Sequence, residues 1–361
     1  MPTKPDASTQ QPVTINELEL LAVEIGRNES AEPVRSLLIR MTTDSGTEGW
    51  GEAELRWRAE ELGPREDLLL SALAGRSVFD TEELQTSELL EAAPLRSAVE
   101  MACWDLLGRT VGRALCQLQG GNYRRRVPLA VRLSGGNTQR TVQLARELVD
   151  QGFHTHLLSS TGRPEQDVMT LRAIREGGGD RLELRLDAAG AYDAETARDL
   201  CEELDGLGIE LVIDPLATEE LYPVASLRRQ TNVPLAVWRA IHGAGDVLAA
   251  VRSGAAGCVV IDLQRIGGIL PARRCAAVAQ AGGIMALLAG ATSVGVATAA
   301  MLQLAAATPA LACLSEAVYH QLRDDVLVER LETTDGMLVV PQGPGLGVEV
   351  DRRKIERYQV G

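Results

Sequence analysis

Lysine is confined to Lys4 and Lys354 in this 361-residue chain, so nothing between those positions can supply an amine base. Histidine occurs four times, at His154, His156, His242 and His320, too few for a histidine-rich metal site. The six cysteines (Cys103, Cys116, Cys201, Cys258, Cys275 and Cys313) are scattered without a CxxC pair, which points to buried free thiols and away from disulfides or zinc. Aromatic residues make up only 3%, so they mark no interface. No apolar run approaches the ~18 residues that would span a bilayer, and the start, MPTKPDASTQQP, has no apolar signal region. A soluble, cytoplasmic chain is expected. Basic residues are outnumbered, 36 Lys+Arg against 50 Asp+Glu, and the net charge of −14 speaks against nucleic acid or an anionic membrane as partner.

The chain is 45% hydrophobic and 24% charged, as a globular protein is, with length for about two domains. Residues 1–12 read as a disordered tail. Alternating strands follow in VTINELELLAVEI and VRSLLIRMTTDSGTEGWGEAEL, and a helical pattern runs from Glu60 to Leu118. After Gly120-Gly121 a different grammar begins, of short apolar strand, turn and helix, repeated. Strand candidates are 127–133, 154–159, 182–188, 210–216, 233–239, 258–264, 284–290 and 312–317. Eight such units favour a closed parallel β/α barrel over an open doubly wound sheet, and no GxGxxG follows the first strand. The expected domains are an α+β module at 13–125, completed by a C-terminal return at 330–361, and a barrel at 126–329.

Four segments occur in a telling order: GWGEA (49–53), AVEMACWDLLGRTVGRALCQLQGG (98–121), VIDLQRIGG (260–268) and PGLGVEVD (344–351). With them the chain resembles the enolase superfamily, in its mandelate racemase and muconate lactonizing enzyme branch. The resemblance implies a modified (β/α)8 barrel of the (β/α)7β type, covered by the N-terminal α+β capping domain, with the active site between them. It also implies Mg²⁺, held by carboxylates of the third, fourth and fifth barrel strands, stabilising an enediolate after a base removes the proton α to a carboxylate. Homo-oligomers are usual in that family.

Against that pattern the chain departs. The lysine pair of the second strand is replaced by Leu157 and Ser159. On the third strand Asp187 matches the first ligand, the one clean match. Ile213 stands at the second ligand with Asp214 beside it, and Arg239 falls where the third carboxylate is expected, a cation in the place of a cation. Asp262 matches the aspartate of an Asp-His dyad, but Ala289 stands at the histidine, and on the eighth strand Ser315 and Glu316 follow one another. Asp187 and Arg239 are candidates for a cross-barrel ion pair. By strand alternation Trp238 should point outward and His154 and His156 away from the mouth.

The function expected is therefore that of a relative acting on or binding a small carboxylic acid, with no metal cofactor. Asp262, Arg239 and Asp187 are the candidate catalytic residues; Ser159, Ser160, Arg239 and Glu316 are the candidate substrate contacts. A non-catalytic binding scaffold is the first alternative. The second is a conventional Mg²⁺-dependent racemase or cycloisomerase with a rebuilt site.

Overall fold

A computed structural model of the chain describes residues 13–28, 32–86, 90, 92–179, 182–290 and 293–360, without the side chains of 84, 85, 312 and 314–317. The expected tail at 1–12 lies outside the described residues.

Strands β1 (Ile15–Ile25), β2 (Val34–Thr43) and β3 (Glu48–Glu54) form an antiparallel meander. Helices α1 (Ala59–Leu73), α2 (Thr81–Gln85), α3 (Ala93–Val111) and α4 (Leu115–Leu118) follow. The GWGEA segment has a packing reason. A Cβ on Gly51 would stand 1.8 Å from the carbonyl oxygen of Ala98, and one on Gly49 2.5 Å from Leu106 Cγ, so only glycine lets α3 lie this close to β3. Behind them Leu37, Ile39, Ala98, Ala102 and Leu106 make a core of their own.

A short strand, β4 (Arg126–Pro128), leads to the barrel strands β5 (Ala130–Ser134), β6 (Thr155–Ser159), β7 (Glu183–Asp187), β8 (Ile209–Ile213), β9 (Leu235–Val237), β10 (Cys258–Asp262), β11 (Met285–Gly290) and β12 (Leu311–Ala317). They pair in parallel in sequence order, and the sheet curls until β12 lies against β5. Helices α5 (Thr138–Asp150), α6 (Pro164–Gly178), α7 (Ala194–Leu204), α8 (Leu221–Arg228), α9 (Ala244–Ser253), α10 (Leu263–Ile266) with α11 (Ile269–Ala281), and α12 (Gly295–Ala307) fill the seven connections. This is a (β/α)7β barrel with an α+β cap. Alternation sorts the side chains: Leu157, Leu211, Ile213, Val260 and Leu287 pack inside the barrel, whereas Leu158, Val212, Val259, Ile261 and Leu288 pack under the helices.

The strand expected at 127–133 is two strands. Pro128 has no N–H to give a barrel ladder, so Arg126–Pro128 pairs instead with the tail, where β13 (Thr333–Thr334) and β14 (Met337–Val339) form an antiparallel pair. Helix α13 (Arg352–Tyr358) then returns to lie on β1. Among the described residues no helix is long and apolar enough to cross a membrane.

Candidate functional site

Two buried acids seat the cap on the barrel, and a third ties the cap to the tail. Glu52 of β3 accepts the backbone N–H of Val294 at 2.6 Å and of Ala297 at 2.7 Å, at the start of α12, and the Ser36 hydroxyl at 2.8 Å. Burial pushes its carboxyl up to about 7, against those three hydrogen bonds. Glu100 of α3 does the same at the start of α11, accepting from Ile269 at 2.5 Å and Leu270 at 2.9 Å, and burial pushes it too up to about 7. Asp105 accepts from Trp50 within the cap and from Leu346 of the tail. Glu52 of the GWGEA segment and Glu100 of AVEMACWD are thus docking groups at helix N-termini, where partial positive charge favours them.

Under the cap, at the C-terminal ends of the strands, lie two cavities. The first, about 560 Å³, is walled by Arg27 of the cap, Arg132 and Ser134 of β5, Asn137 that caps α5, Arg140 of α5, and Gln321. The second, about 530 Å³, is walled by Glu54, Arg56 and Trp57 of the cap and by His242, Asp262 and Arg265 of the barrel.

Asp187 ends β7 and is buried. Its partner is Arg132, whose Nη2 donates to Oδ2 at 2.8 Å, while Nη1 donates to the Ser159 hydroxyl; Oδ1 accepts from the Ala189 N–H at 3.0 Å. The ion pair expected between Asp187 and Arg239 is therefore not made. Arg239 donates from Nη1 to the carbonyl of Ala189 at 2.9 Å, and its Nε lies 3.7 Å from Glu219. The residue turned inward at this level is Trp238, which packs on the interior cluster with Ile213 and Ala289. The outward reading of Trp238 fails because β9 stops at Val237, so alternation no longer governs the next two residues. Asp214 takes a left-handed φ of 46° and uses both oxygens on the N–H groups of Trp238 (2.8 Å) and Arg239 (2.9 Å). Burial, then the charge of Asp187, raise its pKa.

Asp262 ends β10 and caps α10: Oδ1 accepts from Gln264 at 2.9 Å and Arg265 at 3.4 Å. Burial raises its pKa. Gln264 in turn accepts the Glu54 N–H at 2.6 Å, tying this end to the cap. His242 lines the same cavity; its backbone N–H is fixed by Asp246 at 2.8 Å, and its ring makes no hydrogen bond among the described residues.

Ser160 is not a pocket contact. Its hydroxyl donates to the buried Asp167 at 2.6 Å and meets the Tyr192 hydroxyl at 2.7 Å, and Tyr192 is itself bonded to Asp167, so the hydroxyl is consumed in fixing the β6–α6 loop. The side chain of Glu316 lies outside the described residues. His154 is exposed before β6, and His156 is buried with Nε2 on the Phe153 carbonyl, its pKa lowered by burial to about 4. Neither histidine lines either cavity.

Three residues escaped the sequence reading. Arg132 was legible from alternation in AVRLS, since it shares the inward register of Ser134. Arg185, at 2% exposure, lies inside the barrel with both Nε and Nη2 on Glu210 and Nη1 3.4 Å from Cys313 Sγ; its position two residues before Asp187 was the signal. His242 gave none, because it sits on a loop.

Among the described residues no three His, Cys, Asp or Glu side chains cluster closely enough to hold a metal ion.

A family model described as "Enolase C-terminal domain-like" matches residues 140–354, and one for the "Mandelate racemase / muconate lactonizing enzyme, N-terminal domain" matches 24–120. The chain is 27% identical over 334 residues to an o-succinylbenzoate synthase of Geobacillus kaustophilus, covering 89% of this chain and 88% of the relative. It is 27% identical over 345 residues to muconate cycloisomerase 1 of Rhodococcus opacus, covering 91% of each. An isomerase from Streptomyces coelicolor A3(2) superposes with a TM-score of 0.86 at 27% identity, over 96% of this chain and 99% of that one. With motifs, cap and barrel in agreement, the chain belongs to the mandelate racemase/muconate lactonizing enzyme branch of the enolase superfamily.

Proposed function

We propose that the chain binds or isomerises a small carboxylic acid at the capped mouth of its barrel, with its own side chains in place of Mg²⁺. The Arg132–Asp187 pair carries this reading: the carboxylate that would face an ion already faces a guanidinium at 2.8 Å. The donor set around it does not suit Mg²⁺, which needs hard oxygen ligands, because Ile213 and Trp238 are turned inward at that level. The relatives named above are an acid synthase and a cycloisomerase, which supports a small carboxylate as ligand.

The acid is placed in the second cavity. There Arg265 offers a guanidinium to a carboxylate, whereas Arg56 is already paired with Glu54 at 2.8 Å. His242 is the one histidine lining either cavity, and histidine is the residue type suited to proton transfer near neutral pH. Asp262, its carboxyl raised by burial, is the partner that passes the proton on. A pure binding scaffold is the second reading, favoured by Asp262 Oδ1 and the Ser160 hydroxyl already being taken by structural hydrogen bonds.

The test is calorimetric titration of metal-stripped protein with Mg²⁺, Mn²⁺ and a panel of small carboxylic acids, followed by proton NMR of the same acids in D₂O. Acid binding that ignores Mg²⁺ and weakens in Arg265→Gln, with α-deuterium uptake that stops in His242→Gln, is the expected result. Binding that requires Mg²⁺ would restore the metal mechanism. Binding without exchange would favour the scaffold.

A further inference from the structure

Gln264 and Arg265 follow one another in the wall of the second cavity, yet they reach to different sides of it. Successive residues of a helix point about 100° apart. Arg265 donates from Nη1 to the carbonyl of Arg239, beyond β9, at 3.3 Å. The Gln264 side chain reaches the cap, where its Oε1 accepts the Glu54 N–H at 2.6 Å. A carboxylate held by Arg265 has both oxygens available to that fork, so Gln264 is left for a second group on the ligand.

The bond from Glu54 also orients the Gln264 amide. A backbone N–H can be met only by the amide oxygen, which assigns the two ends. The –NH₂ end makes no hydrogen bond among the described residues. A residue of the cavity wall thus carries two N–H donors on a side chain already held in place, which lowers the ordering cost of using them.

Charge decides what kind of oxygen those donors meet. Arg56 is paired with Glu54 at 2.8 Å, so among the described residues of the wall Arg265 is the one guanidinium without an ion-pair partner. Glu54 and Asp262 stand in the same wall, and a second carboxylate on the ligand would meet like charge there with no cation to answer it. A carbonyl or hydroxyl oxygen meets the Gln264 donors without that cost. The cap adds Trp57, Ala93 and Pro94 to the wall, an apolar surface suited to the carbon chain between the two polar ends. We propose that the ligand is a monocarboxylic acid with a second, neutral acceptor oxygen, and that the Gln264 side-chain amide selects it over a diacid. This inference rests on the placement of the acid in the second cavity.

Gln264 also holds the cap, and two variants separate the roles. Gln264→Glu keeps an oxygen for the Glu54 N–H and removes the –NH₂ donors; Gln264→Leu removes both. The experiment is calorimetric titration of the full chain with 4-oxopentanoate, pentanoate and succinate as a matched set and pyruvate and propionate as a shorter pair, with a thermal melt of each variant. In the natural chain at least one keto acid should bind about tenfold tighter than its apolar match, and 4-oxopentanoate should bind more tightly than succinate. The added charge of Gln264→Glu weakens both members of a pair alike, so the ratio within the pair is the readout. It should fall to near one in Gln264→Glu with the melting temperature kept. Keto acids no tighter than their apolar matches, succinate as tight as 4-oxopentanoate, or a ratio that survives in both variants would overturn the proposal and leave the carboxylate reading standing. A ratio lost only in Gln264→Leu, together with a lowered melting temperature, would make Gln264 a cap tether alone and overturn it equally. Absence of binding by any of these acids would overturn both readings.

Discussion

Glu100, on the long helix of the cap, accepts the backbone N–H of Ile269, the first residue of a barrel helix, at 2.5 Å. Glu52 repeats the arrangement on Val294 one helix further on. The two domains are joined by side-chain acid meeting backbone amide, a contact that fixes both position and direction, where an apolar patch would fix only proximity.

These acids give stability a defined pH dependence. Both are raised from 4.5 to about 7, so the folded chain holds protons that the unfolded chain releases. Their contribution is full below pH 4.5, is lost as pH rises to 7, and is constant beyond. Each accounts for at most roughly 3 kcal/mol. Urea unfolding at a series of pH values should show the stability of the natural chain falling, relative to Glu52→Gln or Glu100→Gln, across that window. Parallel curves would mean that the acids stay ionised throughout.

Removing Arg132 leaves Asp187 buried with one backbone amide. Arg132→Ala should lower stability by roughly 3 kcal/mol, and Asp187→Ala in addition should recover part of it. A double-mutant cycle by denaturant unfolding measures the coupling; additive losses would mean that the pair contributes no specific energy.

A magnesium site should be constructible, and the construction tests which residue faces inward. Arg132→Ser with Ile213→Glu and Trp238→Asp should give measurable Mg²⁺ affinity around Asp187. The same set with Arg239→Glu in place of Trp238→Asp should give less, because Arg239 points toward Ala189 and Glu219. Equal affinities by titration would reverse that assignment.

Two glycines make a contrasting pair. Gly51→Ala forces a methyl to within 1.8 Å of the Ala98 oxygen and should cost several kcal/mol, on the order of 3, since β3 and α3 must separate. Gly245→Ala, in the first turn of α9 with nothing within 4 Å, should stabilise by about 0.5–1 kcal/mol. Thermal melts of the two single variants distinguish them.

The barrel was legible because each strand is an apolar run with turn residues on both sides, and each of the eight candidate segments overlaps one barrel strand, the first taking in part of β4 as well. The mouth was legible only as far as alternation reaches. Asp187 and Ile213 are the last residues of β7 and β8 and sit where alternation puts them. Trp238 and Arg239 lie beyond the end of β9, and there the turn around Asp214, with its left-handed backbone, decides the orientation. Ser160 illustrates the same limit: one residue past β6, it is claimed by Asp167 of the following helix. The partner of Asp187 came from β5, two strands away, and pairing across an interior is not written in any local pattern.

The tail strand β14 pairs with β4, and α13 lies on β1, the first strand of the chain. One segment after the barrel therefore touches both the side where the barrel strands begin and the cap. Its helix is held on both sides: Asp351 donates its N–H to the Val326 carbonyl at 2.8 Å and Lys354 reaches the Leu327 carbonyl at 2.7 Å, while Val360 donates to Ala22 of β1 at 3.0 Å. Residues 352–358 thus act as a clasp between the cap and the chain that leaves the barrel, and a loosened clasp would loosen the roof over the mouth.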